Sequence, residues 1–142
     1  MDQAAALLQR VPEQPQHLRI GQRGEELAYF YLRRMGYVIV ARNYRSRRRQ
    51  GEIDLIGWDG DVLCFIEVKT RTTRDVKPAE AAVDVEKQRD LRAAARQYLQ
   101  QRPVRPHVAQ RTQHFRFDIV TLYLLDGSNP EFTLFKNAFA VS

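Results

Sequence analysis

The stretch GEIDLIGWDGDVLCFIEVK (Gly51–Lys69) holds two short apolar runs on either side of an Asp59-Gly60 turn signal. Both runs are of strand length and rich in β-branched and aromatic residues, so they read as a β-hairpin. Each run carries acid where a buried strand should not: Asp54 breaks Ile53, Leu55 and Ile56, and Glu67 breaks Phe65, Ile66 and Val68, with Lys69 two residues on. Charge inside an apolar strand is costly unless it is paired or binds a metal. Asp54, Glu67 and Lys69 are therefore the first candidates for function.

Side chains alternate faces along a strand, so Glu52 shares a face with Asp54, and Glu67 with Lys69. Whether these faces coincide depends on the turn. A two-residue turn at Asp59-Gly60 sets Asp54 opposite Phe65 and diagonal to Glu67. A four-residue loop sets Asp54 directly opposite Glu67. A three-residue loop separates them unless a bulge intervenes. Direct or diagonal neighbours have Cβ atoms roughly 4.5–8 Å apart. Two carboxylates at that spacing can share a divalent cation, with Mg²⁺–oxygen distances of about 2.0–2.1 Å.

Asp54, twelve residues, then Glu67-Val68-Lys69 resembles the signature of the PD-(D/E)XK nucleases, which have the restriction-endonuclease-like fold. A wider set of motifs is similar to the YraN-like family of small bacterial proteins, usually regarded as endonucleases. These are Gly21-x-x-Gly24-Glu25-x-x-Ala28, Gly36-Tyr37, Arg42-Asn43, Gly51-Glu52-Ile53-Asp54-Leu55-Ile56, Phe65-Ile66-Glu67-Val68-Lys69-Thr70-Arg71 and Arg116-Phe117-Asp118. The match spans about residues 20–140. It implies an α/β fold with an αβββαβ core, a mixed central sheet flanked by helices.

At 142 residues the default is one domain with a real core, here residues 20–142 behind a mobile tail of residues 1–19. The net charge is +6, with arginine dominant among 23 basic residues. Such a balance suits a polyanionic partner, nucleic acid first, since arginine recognises phosphate in planar, bidentate fashion. The single cysteine, Cys64, sits in an apolar run and reads as a core residue. With no signal peptide, it points to the reducing cytoplasm. No apolar run approaches the ~20 residues that cross a membrane.

From Gly21 to Met35 the apolar period is helical, through Ile20, Gly24, Leu27, Ala28, Tyr31, Leu32 and Met35, with Gly36 as C-terminal cap. Glu25 falls at the edge of the apolar arc and can reach an inward site; Glu26 should face water. The resemblance implies an additional acidic metal contact from this helix at Glu25. Tyr37–Val40 reads as a strand, followed by Arg42-Asn43-Tyr44. Arg45, Arg47, Arg48 and Arg49 follow in a loop that directly precedes the acidic hairpin. Such a loop can hold a phosphate backbone, which positions a substrate without reading its sequence.

Thr70 to Ala82 reads as an exposed linker beside the site, with Arg71 a further phosphate contact. A second helix is expected from Val83 to Gln100, with Lys87, Leu91, Ala94, Ala95 and Tyr98 on one face. Lys87 can point to a phosphate or a carboxylate, or lay its stem on the core. Residues 101–113 read as a loop. Phe115–Leu125 and Phe132–Phe135 read as the last strands. The scattered histidines offer no zinc-ligand spacing. Asp118, in the Arg116-Phe117-Asp118 motif, is expected to be structural, pairing with Arg116 or a site lysine.

The expected activity is metal-dependent phosphodiester hydrolysis of DNA, endonucleolytic and selective for branched structures. Mg²⁺, or Mn²⁺ in its place, would be held by Asp54 and Glu67, with Glu25 and the Val68 carbonyl as further ligands. Lys69 would orient or help deprotonate the attacking water, or stabilise the phosphorane. Glu52 shares the face of Asp54 and competes with it for that role. A homodimer is compatible with this reading. The alternatives are a non-catalytic nucleic-acid-binding module on the same fold, and a scaffold that recruits a partner through its basic surface.

Overall fold

The computed structural model describes residues 15–47, 51–74, 83–101 and 114–142. The elements run α1 (Gln16–Arg34), β1 (Val38–Arg45), β2 (Glu52–Asp59), β3 (Val62–Arg71), α2 (Val85–Gln101), β4 (Phe115–Tyr123) and β5 (Glu131–Phe139). The strands form one sheet in sequence order. β1, β2 and β3 are successive antiparallel neighbours, β4 joins β3 in parallel, and β5 returns antiparallel to β4. A parallel step needs a crossover, and α2 lies in the connection between β3 and β4. This is the mixed α/β core that the sequence implies, extended by β5.

Each sheet face has its own core. On one side Ala28 and Leu32 of α1 meet Leu55, Cys64, Ile66, Val68 and Val120. On the other, Leu91, Ala94, Ala95 and Tyr98 of α2 meet Ile53, Ile56, Leu63, Phe65, Phe117 and Ile119. β3 feeds both cores alternately, which explains its continuous apolar run. Cys64 is fully buried, and burial with the nearby Asp118 charge pushes its thiol up to about 12, as suits a core residue.

The hairpin turns one residue later than expected. The pairs run from Asp59↔Val62 to Leu55↔Ile66, so Gly60-Asp61 forms the tip. Gly60 takes φ +63° as the first central residue, the position that a type II′ turn gives to glycine. A short turn thus produces the register foreseen for a longer loop, and the ladder ends at Leu55↔Ile66, beside Asp54 and Glu67.

α1 begins at Gln16, inside the expected tail, because its first turn is solvent-facing and shows no apolar period. Residues 1–14 lie outside the described residues. The helix ends where expected. Gly36, at φ +96°, donates its N–H to the Arg33 carbonyl, and Tyr37 donates to Leu32, a Schellman cap. β1 extends to Arg45, so Arg45 is a strand residue rather than a loop residue. Arg48, Arg49, the expected linker over 75–82 and most of the expected 101–113 loop lie outside the described residues. Thr70 and Arg71 belong to β3 instead of a linker. β5 outruns the expected Phe132–Phe135 because Lys136 and Asn137 interrupt its apolar pattern without ending it. Among the described residues, no helix is long and apolar enough to cross a membrane.

Candidate functional site

The β2–β3 ladder ends at Leu55↔Ile66. Just beyond it, the Val68 N–H donates 2.8 Å to Asp54 Oδ2, so a side chain takes the place of a ladder acceptor. The Val68 N–H thus anchors Asp54; the Val68 carbonyl, the group expected as a further ligand, is a separate atom of the same residue. Glu67 is only 5% exposed. Its Oε1 lies 3.3 Å from Lys69 Nζ and 3.7 Å from Lys87 Nζ.

Lys87 reaches this point because of how α2 begins. Asp84 Oδ1 accepts the Lys87 backbone N–H at 2.8 Å, an N-cap that fixes the first turn. Glu86 in that turn opposes the helix dipole favourably. The capped start directs Lys87 at Glu67.

α1 supplies Glu25 from the opposite side. The helix crosses β3 closely at Gly24, where an added Cβ would overlap Thr70 Oγ1. Only glycine allows this approach, and the next residue is the half-buried Glu25. The Asn43 amide nitrogen, in the orientation the hydrogen-bond network requires, donates to Glu25 Oε2 and Glu52 Oε1, each at 3.0 Å. Asn43 sits in β1 at φ +51°, a left-handed conformation that asparagine tolerates better than most residues. Arg42 stacks 4.6 Å over the Tyr29 ring, and its charge bears on Glu25.

Four carboxylates thus gather where β2 and β3 part. Burial lifts the Asp54 carboxyl and the Glu67 charge lifts it further; the Val68 N–H offsets part of this, Glu25 adds to it and Lys87 opposes it, leaving Asp54 at about 8. Glu25 is also raised, by burial, then by Glu52 and Glu67, against Arg42 and a hydrogen bond with Asp54. Glu67 Oε2 is buried without a hydrogen-bond partner. Among the described residues, no three acidic, histidine or cysteine side chains form a ready-made ligand group. The donor atoms nonetheless suit a hard divalent cation: all are oxygen, Glu67 Oε2 is without a partner, and burial with the Glu67 charge raises the Asp54 carboxyl.

Glu52, the rival of Asp54, is tied to Asn43 and lies 3.8 Å from Arg45, so it sits at the rim. Arg47 follows β1, its N–H donating 2.8 Å to Gln97 of α2. Asp118 is apart from the cluster, on the α1 face. It is fully buried and accepts from Tyr37 Oη at 3.0 Å, Arg116 Nε at 2.9 Å and the Asn137 N–H at 2.9 Å. That geometry matches the pairing with Arg116 expected for it. Asn43 was not singled out from the sequence as a site residue. Its only signal was its place in the Arg42-Asn43 motif.

The element order and the mixed five-stranded sheet are consistent with a nuclease-like α/β core. The chain belongs to the Uncharacterised protein family UPF0102, whose profile matches residues 24–122, in agreement with the YraN-like motifs. A UPF0102 protein of Koribacter versatilis (strain Ellin345) is 57% identical over 131 residues, 92% of this chain and 86% of the relative. One from Solibacter usitatus (strain Ellin6076) is 45% identical over 119 residues, 84% of each chain. One from Geobacter sulfurreducens is 37% identical over 123 residues, 87% of this chain and 90% of the relative.

Proposed function

We propose that this protein is a metal-dependent nuclease that hydrolyses phosphodiester bonds within nucleic acid, DNA first, in the cytoplasm. One observation carries the reading: buried Glu67, with Oε2 unpartnered, lies close enough to Asp54 for its charge to help raise that carboxyl to about 8. Two such carboxylates need a cation to be charged together.

Asp54 and Glu67 would hold Mg²⁺ or Mn²⁺, with Glu25 the third acid. When bound, the cation offsets charge on the phosphoryl oxygens and lowers the pKa of water. The protein's own groups do the rest. Lys69, 3.3 Å from Glu67, is oriented to hold a water or to meet charge developing on the phosphate. Lys87 approaches the same carboxylate from α2 and can take a phosphate oxygen. Arg42, Arg45 and Arg47 lie on β1 and just past its end, where they suit the backbone of a strand crossing the sheet edge.

A second reading has its own support. Both lysines already neutralise Glu67 Oε1, as a static ion-pair cluster in a non-catalytic nucleic-acid-binding module would have them. Cleavage of labelled single-stranded, duplex, flap and four-way DNA with Mg²⁺ or Mn²⁺ separates the two. The nuclease reading predicts metal-dependent cutting lost in Asp54→Ala and Lys69→Ala. Binding to all substrates with cutting of none would favour the module.

A further inference from the structure

Asn43 lies exposed in the middle of β1, yet its backbone takes φ +51°. That conformation is uncommon inside a strand, and glycine, asparagine and aspartate adopt it most readily. Among these, asparagine alone offers side-chain N–H donors; an ionised aspartate only accepts. The pairs Arg42↔Leu55 and Tyr44↔Ile53 bracket Asn43 and Asp54, so these residues are neighbours on adjacent strands. The left-handed residue thus falls at the edge of the carboxylate cluster.

The Asn43 amide nitrogen gives a hydrogen bond to each of two acids, Glu25 Oε2 at 3.0 Å and Glu52 Oε1 at 3.0 Å. It leaves them in different situations. The other oxygen of Glu52, Oε2, lies 3.8 Å from the exposed Arg45, so both oxygens of Glu52 are engaged at the rim. Glu25 is half-buried and shares a hydrogen bond with Asp54. Charge alone does not secure it there: Glu52 and Glu67 repel it, and Arg42 attracts it. A glutamate has several torsions to fix, and repulsion from Glu52 would turn Glu25 aside without the amide that holds both. Hydrogen bonds of this kind orient carboxylates that serve as metal ligands.

We infer that Asn43 is a positioning residue, whose amide holds Glu25 as the third acid of the cation site and keeps Glu52 out of it. Resting on the cation reading of Asp54 and Glu67, this assignment decides between Glu25 and Glu52 as the further ligand. It also gives the left-handed backbone of β1 a role, since it falls where one side chain reaches a helix acid and a strand acid together.

The test is calorimetric titration of Mn²⁺ into the full chain, with the metal-free melting temperature measured beside it. Asn43→Gly removes the amide and keeps the backbone, because glycine takes positive φ freely. It should melt close to wild type when metal-free, yet bind Mn²⁺ about tenfold more weakly. Glu25→Gln should lose at least as much. The double variant should lose no more than Glu25→Gln alone, because Asn43 acts through Glu25. Glu52→Gln should bind Mn²⁺ nearly as wild type does. An asparagine that only shapes the strand would leave Mn²⁺ affinity unchanged in Asn43→Gly; that result overturns the inference and leaves the cation site standing. Fully additive losses in the double variant overturn it too, as does a loss in Glu52→Gln without one in Glu25→Gln. Absence of Mn²⁺ binding to wild type removes both Asn43 and the cation site. The expected losses, with no cleavage of DNA by wild type in Mn²⁺, uphold Asn43 and remove catalysis.

Discussion

Asp54 is where sequence, fold and chemistry meet. Its ordinary pKa of 3.8 is raised to about 8 by burial and by Glu67. A raised carboxyl favours the folded state while protonated, so its contribution is fully present below about pH 4 and is lost as pH rises through about 8. The metal-free protein should lose stability across that window. Asp54→Asn keeps an acceptor for the Val68 N–H and removes the charge. It should flatten that pH dependence and stabilise the metal-free protein at pH 8 by on the order of 1–3 kcal/mol. Thermal melts at several pH values in EDTA would show it; a variant that melts lower than wild type at pH 8 would contradict it. The acids and Lys69 were legible in the sequence because charge in an apolar strand is conspicuous. Asn43 was not. Asn43 acts through a left-handed backbone and a side chain that bridges two glutamates from different elements.

The elements hold the site by close approaches. Gly24 lets α1 reach β3 at Thr70. Gly24→Val should displace the helix, costing about 1–3 kcal/mol, and lower nuclease activity more than the same loss of stability elsewhere, because Glu25 moves with it. Chemical denaturation beside cleavage rates would test both parts. At α2, Asp84→Ala removes the cap on the Lys87 N–H. The expected cost is about 0.5–2 kcal/mol, with weaker substrate binding as Lys87 loses its fixed approach. Apolar periodicity revealed both helices and the strands β2, β3 and β4 closely, whereas β1 runs on to Arg45, past its expected end at Val40. It did not reveal the turn position, since Asp59-Gly60 and Gly60-Asp61 are both good turn signals. Nor did it reveal the first turn of α1, which buries nothing, or the full length of β5.

Across the whole molecule, the buried ion-pair network around Asp118 lies apart from the acid cluster at the parting of β2 and β3. On the α1 face, Arg116 joins Asp118 at 2.9 Å, Asp59 at 2.6 Å and Tyr37 Oη at 2.9 Å. Arg116→Met leaves a fully buried Asp118 without its cation and should cost about 3–5 kcal/mol. It should leave the cleavage rate per folded molecule unchanged, measured below the melting point. The parting of β2 and β3 gathers the carboxylates, with Glu25 from α1 and Lys87 from α2. The +6 charge acts over the whole surface, so nucleic-acid affinity should fall steeply with added salt. Composition suggests a polyanionic partner but does not say which basic groups are engaged by acids.

Calorimetric titration of Mn²⁺ into the metal-free protein, in two buffers of different ionisation enthalpy near pH 7, addresses the cation site directly. Binding should release a proton, because the cation must displace the one held by Asp54, and both binding and release should vanish in Asp54→Asn and Glu67→Gln. Absence of binding to the wild type, or binding that survives in both variants, would contradict the assignment of Asp54 and Glu67 as a cation site.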